Sequence, residues 1–366
     1  MKYLTWFFHQ RLTAFLVVFL MLLSGCSDFQ SVSFDEENGE SNEISKQESK
    51  FVVKGGPNVV EITTEHNHDS NEHLFNLNIN EVPEGWIHFR LNNATHADHF
   101  FLLYKVPQAA IDAAESANQT LLEHWYQTVT APFQAEWNPY INGDISFGVF
   151  VNNLFSAVLS SAPWFPNAVT VGGPGITSPG QISETTVHLT EGVYIAECYV
   201  RDENGEFHSY NGMLEMITVT GQSSGEREPR ATMDVMVSQS GIENPDLVRP
   251  GAHTVAIHFG EQPPFGYEHL LGHNVQLVYF ENGYNSQLLD ELGTWMDWTE
   301  MDGLVNRAPD GATFLGGAME MLGGNKAYFK IKLKPGDYAW IAEVPDPDAK
   351  GMLKTFTVPF GNTAGK

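Results

Sequence analysis

The chain is poor in cysteine, in basic charge and in long apolar runs, and each shortage excludes something. Its only cysteines, Cys26 and Cys198, are too few for a disulfide framework. Nineteen Lys and Arg stand against 45 Asp and Glu in 366 residues, for a formal net charge of −26 at pH 7. So acidic a chain repels phosphates, which argues against a nucleic-acid partner. It favours a basic partner or a salty medium, and a generally acidic halotolerant surface explains it equally well. The apolar run Leu12–Leu23 is short of the roughly 20 residues that span a bilayer. There is no Ser/His/Asp or Cys/His nucleophile arrangement and no phosphate-binding glycine loop.

What is present starts with an address. Lys2 and Arg11 precede the short apolar run, which suits a secretory signal, and the run ends in Leu23-Ser24-Gly25-Cys26. That ending resembles the lipobox of bacterial lipoproteins. The resemblance implies cleavage after residue 25, lipidation of Cys26 and a membrane anchor in the cell envelope. Ser27 after the cysteine implies the outer membrane, on its periplasmic face or at the cell surface, if the cell has one. Removing Lys2 and Arg11 takes the net charge from −26 to −28. Ser27–Lys50 is polar, acidic and without hydrophobic period, and reads as a disordered tether. Cys198 is then a lone thiol in an oxidising compartment, either inert and buried or held by a metal.

Two domains follow: 51–220 and 231–360, joined by a Gly/Ser/charged linker at 221–230. Short alternating runs rich in Val, Ile, Phe and Tyr, punctuated by Gly, Pro and Asn, predict an all-β fold of sandwich type. Those of the first domain are Asn58–Thr63, His73–Ile79, Gly85–Leu91, Phe100–Lys105, Thr185–Leu189, Gly192–Val200 and Leu214–Val219. Residues 106–174 break the pattern. Pro107–Gln127 carries helical spacing and Ile145–Leu159 is a second helical candidate, so this stretch reads as a partly helical insertion that packs onto the sandwich.

The chain also repeats itself. Pro83-Glu84-Gly85-Trp86-Ile87-His88-Phe89 is echoed by Pro250-Gly251-Ala252-His253-Thr254-Val255-Ala256-Ile257-His258-Phe259. His99–Tyr104 is echoed by His273–Tyr279, Leu189–Tyr194 by Leu333–Tyr338, and Gly212-Met213-Leu214 by Gly351-Met352-Leu353. Four matches in one order predict a duplicated fold.

Cys198, His208 and Met213 lie in order from the end of one strand run to the start of the next. A thiolate, an imidazole and a thioether form a soft donor set, which selects copper over magnesium, calcium or manganese. The order of features resembles the cupredoxins. These are an Asn-rich loop (Asn92-Asn93-Ala94-Thr95), a His before a strand, Gly172-Gly173-Pro174-Gly175, a Leu-x-x-Gly-x-Tyr turn, a strand ending in Cys, a loop carrying His, and Gly-Met. The resemblance implies two Greek-key β-sandwiches and one type 1-like copper in the first. Its ligands would be His99, Cys198, His208 and Met213, with His96 as the alternative first ligand. Asn92 or Asn93 would tie down the loop. The implied role is electron transfer to a redox partner protein, or copper handling. The competing reading is a metal-free binding or scaffold module.

Two features depart from the family. Nine residues separate Cys198 from His208, longer than in plastocyanin or azurin, and the loop is charged. Glu197 and Tyr199 flank Cys198 where the catalytic copper of a nitrite reductase or multicopper oxidase needs an adjacent His, so no enzyme activity of that kind is expected. The second domain has His273 and Met352 but no Cys in Tyr338–Val344 and no His in Asp346–Lys350, which predicts a copy without copper. His66, His68 and His73 make a weaker, exposed metal-binding candidate, with a His-rich turn as the plainer reading. Trp295–Asp302 reads as a packed loop or short helix rather than a binding surface.

Overall fold

The computed structural model describes residue 56, residues 58–262 and residues 272–360. The signal segment 1–25, Cys26 and the tether to Lys50 lie outside the described residues.

Period-2 alternation builds the strands. In β1 (Val59–Asn67) and β2 (Glu72–Leu77), which form a hairpin, buried and exposed residues alternate, and His73 and Phe75 point inward. β1 also runs parallel to β3 (Glu81–Asn92), which pairs with β6 (Ile182–Leu189) and β8 (Leu214–Ser223). β4 (Leu102–Lys105) pairs with β5 (Val169–Thr170) and with β7 (Gly192–Glu197), and β7 with β8. β8 runs three residues into the stretch 221–230.

The second half uses the same scheme. β9 (Met233–Ser238) pairs with β10 (Gly241–Glu243) and runs parallel to β11 (Gly251–Phe259), which pairs with β14 (Lys326–Leu333), as β3, parallel to β1, pairs with β6. β12 (His273–Phe280) pairs with β15 (Gly336–Ile341), and β15 with β16 (Leu353–Val358), as β4, β7 and β8 do. Tyr194 donates to Thr190 O at 2.6 Å, and Tyr338 donates to Lys334 O at 2.9 Å. The same tyrosine thus closes the same turn in each half.

Two seams join the halves. β6 pairs with β14. Residues 171–177 bridge His99 and β4 on one side and β13 (Ala312–Met321) on the other, through Val171–Met321, Pro174–Ala318 and Thr177–Leu315. The result is all-β, a large sheet and a four-stranded one, with β13–β12–β15–β16 as the order of the smaller. The described residues from 51 onward form one compact unit. Gly173 sits at the second seam with φ +126°, and a Cβ there would overlap Phe101 O. Gly173→Ala should lower the midpoint of thermal unfolding by several degrees, which calorimetry would show.

The helical insertion is present, and it is more helical than the spacing alone suggests. It holds α1 (Gln108–Ser116), α2 (Leu121–Trp125), α3 (Ala131–Ile141) and α4 (Phe147–Ser161). Thr120 and Glu123 form a capping box at the start of α2. Phe150, Leu154 and Val158 give α4 a buried stripe at i, i+4, i+8. The insertion supports the loop after β7: Phe207 N donates to Gln134 Oε1 at 2.8 Å, and Phe207 packs on Phe133 and Trp137. A fifth helix, α5 (Ser286–Trp295), lies between β12 and β13. Trp295 and Met296 are buried, so this end of the Trp295–Asp302 stretch packs inward. Among the described residues no helix is long and apolar enough to cross a membrane.

Candidate metal centre

Cys198 follows the last residue of β7, and the chain between it and β8 folds back as a small hairpin. Arg201 bridges Phe207, and the carboxylate of Asp202 accepts from Asn204 N at 2.8 Å and Glu206 N at 2.9 Å. His208 N then donates to Val200 O at 2.8 Å, and Ser209 N to Cys198 O at 2.8 Å. The nine intervening residues therefore bring His208 back beside Cys198 rather than carry it away. Their charges are absorbed locally. Arg201 is buried, donates to the carbonyls of Glu300, Met301 and Gly303, and lies over the Trp137 ring. Met213 is buried, and its N donates to His208 O at 2.9 Å.

His99 arrives from the other side, just before β4, pinned by a bridge to Thr177. The three donor atoms converge. Cys198 Sγ is 3.6 Å from His99 Nδ1 and 3.8 Å from His208 Nδ1, and the two Nδ1 atoms are 3.1 Å apart. With metal–nitrogen bonds of about 2.0 Å and a metal–sulfur bond of about 2.3 Å, a trigonal centre has N–N edges of about 3.1–3.5 Å and S–N edges of about 3.7 Å. The triangle fits such an ion.

Behind His99, Thr95 Oγ1 lies 2.7 Å from its Nε2 and 3.0 Å from Asn93 Oδ1. With the hydroxyl proton given to Asn93, Thr95 accepts from His99 Nε2–H. Nδ1 is left with a bare lone pair facing Sγ, an outer partner of the kind that orients metal-ligating imidazoles. Asn93 is fully buried. It donates to Ala97 O and Thr177 O, both at 2.7 Å, and accepts from Thr64 Oγ1, Thr95 N and Thr95 Oγ1. Of the two asparagines expected to tie the loop, Asn93 does so.

A third imidazole stands at the centre. The β1–β2 register sets His66 opposite His73. The His73 ring stacks on His208 at 3.9 Å and on His66 at 4.0 Å. Ring nitrogens of His73, His99 and His208 lie within 4.8 Å of one another, all three residues buried. His73 thus belongs to the buried centre rather than to an exposed cluster, whereas His68 is exposed and His66 half-buried. The sequence signal was the His66-to-His73 spacing across a tight turn, read without its register. His96 is exposed and is not one of the clustered histidines.

Burial dominates the electrostatics. It holds His99 and His208 well below the usual histidine value, with neighbouring imidazoles adding to the effect, and lowers His73 to about 4. All three are neutral at neutral pH, with lone pairs free to ligate. Burial also pushes the Cys198 thiol up to about 12, so an ion must displace its proton to bind. These histidines are protonated more readily in the unfolded chain, so their burial costs the metal-free protein stability as pH falls below about 6.5, continuing towards 4, while the raised carboxyl of Glu197 acts the other way over the same range. Urea unfolding of the native chain and His73→Phe at pH 7.5, 6 and 5 tests the histidine part: the variant should gain on the native chain as pH falls, and a constant difference is the contrary result.

The second half repeats the frame without the donors. Ala342 N donates to Met352 O at 3.0 Å, as Cys198 N donates to Met213 O at 3.4 Å, so Ala342 stands where Cys198 does. Glu320 and Glu343 reach across to the first half: the hydroxyl of Tyr199, next to Cys198, lies 2.5 Å from Glu320 Oε1 and 3.0 Å from Glu343 Oε2, with one proton shared over the two contacts. Glu197 is buried against Tyr104, which donates to it at 2.7 Å, and burial raises its carboxyl to about 7.

No family model and no curated protein matches the chain. Among solved structures it is similar to auracyanin B, at 17% identity over 37% of this chain and 96% of that one, with a TM-score of 0.25. It is similar to auracyanin A, a "blue" copper protein of Chloroflexus aurantiacus, at 16% identity over 45% and 100%, TM-score 0.24. It is also similar to a copper-containing nitrite reductase of Thermus scotoductus, at 13% identity over 82% and 61%, TM-score 0.21.

Proposed function

We propose that the chain is a cupredoxin-like, tandemly duplicated copper protein of the cell envelope, anchored through lipidated Cys26 and built to pass single electrons. The observation that carries this is the triangle of Cys198 Sγ, His99 Nδ1 and His208 Nδ1, with edges of 3.1 to 3.8 Å. Met213, buried in the same loop, would supply a thioether as a fourth ligand. A bound copper would supply a one-electron couple with a covalent path through sulfur.

The chain's own residues supply the rest. Thr95 and Asn93 hold His99 in one tautomer, and the hairpin 199–207, locked by Arg201 and the insertion, holds His208. Loops fixed this firmly leave little to rearrange between oxidation states. The second half lacks the thiolate and acts as support, through Glu320 and Glu343 on Tyr199. No imidazole adjoins Cys198 in sequence, so a second, catalytic copper is not proposed.

The test is to add one equivalent of Cu(II) to the metal-free chain. An intense visible thiolate-to-copper band, saturating at one ion, is expected, together with a reversible one-electron couple. Absence of the band would favour the metal-free scaffold reading.

A further inference from the structure

The proposed centre is sealed: His99, Cys198, His208 and Met213 are all at 0% exposure. No ligand edge meets solvent, so an electron must leave through neighbouring side chains. The surface where it emerges then sets the kind of partner. Two surfaces flank the centre, and they differ in charge.

The first is the rim made by the β1–β2 turn and the tip of the 199–207 hairpin. It carries Glu65, Asp69, Glu72 and Glu203, all exposed. The second is the outer face of α4. Its exposed apolar residues are Val149 and Leu159, at 44% and 42% exposure, and its other exposed residues are Gly, Asn and Ser. No residue from 145 to 183 carries a charge, in a chain that is 17% charged residues with a net charge of −26. A surface helix normally carries charged residues on its outward face. A neutral, partly apolar face set in an acidic surface marks a place of contact.

That face is joined to the centre by packed rings. Phe150, on the inner stripe of α4, lies 5.0 Å from Trp137 and 6.1 Å from Phe133. Those two rings of α3 lie 5.4 and 5.2 Å from Phe207, which immediately precedes His208. Electronic coupling falls steeply across gaps and more slowly through bonded and closely packed groups.

We propose that the outer face of α4 is the docking surface for a redox partner protein that presents an uncharged, apolar patch. The proposal rests on the copper reading of the centre. One electron crosses per encounter: bound Cu(I) becomes Cu(II) as an oxidised one-electron carrier on the partner is reduced, or the reverse, and no bond or proton moves. A charged partner face would lose hydration there with nothing to pair it. A helix of 15 residues is about 22 Å long, which suits the small contacts, below about 1,200 Å², of transient redox encounters.

The test uses the copper-loaded full chain at gold electrodes coated with methyl-ended or amine-ended alkanethiol monolayers. The first stands for a neutral apolar partner face and the second for a basic one. The native chain should exchange electrons about tenfold faster, or more, at the methyl-ended surface. The double variant Val149→Asp, Leu159→Asp should keep the visible band, since both side chains are exposed, and lose about tenfold or more of that rate. Glu203→Gln, on the acidic rim, should leave the rate unchanged.

Faster exchange at the amine-ended surface, or a double variant that matches the native rate at the methyl-ended one, overturns the docking face while the copper reading stands. A native dimer in sedimentation that the double variant dissolves overturns it too, because α4 would then meet a second copy. So does binding of the Cys26→Ser chain to phosphatidylcholine vesicles that the double variant loses, because the occupant would be a bilayer. A native chain with no visible band and no redox couple at either surface removes the copper reading itself, and the docking proposal with it.

Discussion

Cys198→Ser should abolish the visible band while leaving the fold in place. The thiol is fully buried at the end of β7, and its Sγ is the one sulfur in the donor triangle. Serine is close in size, and its hydroxyl can donate to a histidine lone pair that the thiol faced. The metal-free variant should therefore stay within about 2 kcal/mol of the native chain. The difference appears with copper. An ion that binds only the folded state stabilises it by about 4 kcal/mol at a thousandfold excess over its Kd. For the native chain, copper should raise the unfolding midpoint clearly. For Cys198→Ser most of that rise should vanish, leaving what the imidazoles alone can hold. A variant that retained the band would show that the thiolate is not a ligand.

Asn93→Ala should have the largest effect on stability. The side chain is at 0% exposure and makes five hydrogen bonds, tying Thr64, Thr95, Ala97 and Thr177 into one knot behind His99. Truncation takes one partner from each of two buried carbonyls and three donors; Thr177 O keeps His99 N, and Ala97 O keeps Thr95 Oγ1. A loss of about 3–5 kcal/mol is expected, at the high end for one substitution. The loss should reach the site as well. Without Asn93, Thr95 Oγ1 loses its main acceptor and is free to donate to His99 Nε2. That would move the histidine proton to Nδ1, the atom that faces sulfur. Copper uptake should weaken in this variant even at temperatures where it remains folded. Native-like copper uptake would show that the Thr95 contact does not set the tautomer.

Much of the fold was legible because its signals are local. The alternation in β1 and β2, the paired turns closed by Tyr194 and Tyr338, and the helical spacing of 107–127 all depend on near neighbours in sequence. The pairing of β6 with β14 and the bridging of β4 to β13 by 171–177 depend on partners far away in sequence. No periodicity announces them.

The site divides in the same way. Cys198, His208 and Met213 share one loop, so their spacing was visible, and the repeat in the second half framed His99. The position of His73 was not visible, because it follows from which residues face each other across the Asn67–Glu72 turn. Nor was the burial of Arg201, since an arginine in an acidic loop is normally solvated. Here three backbone carbonyls and an aromatic face substitute for water.

Those buried groups leave two chemically distinct donor sets within reach of one another. One is Cys198 with His99 and His208. The other is His73, His99 and His208, whose nitrogens also cluster within 4.8 Å. X-ray absorption at the copper edge on the chain loaded with one equivalent separates them. The account predicts one short sulfur and two nitrogen scatterers, with the sulfur missing in Cys198→Ser. Three nitrogens and no sulfur in the native chain would contradict it.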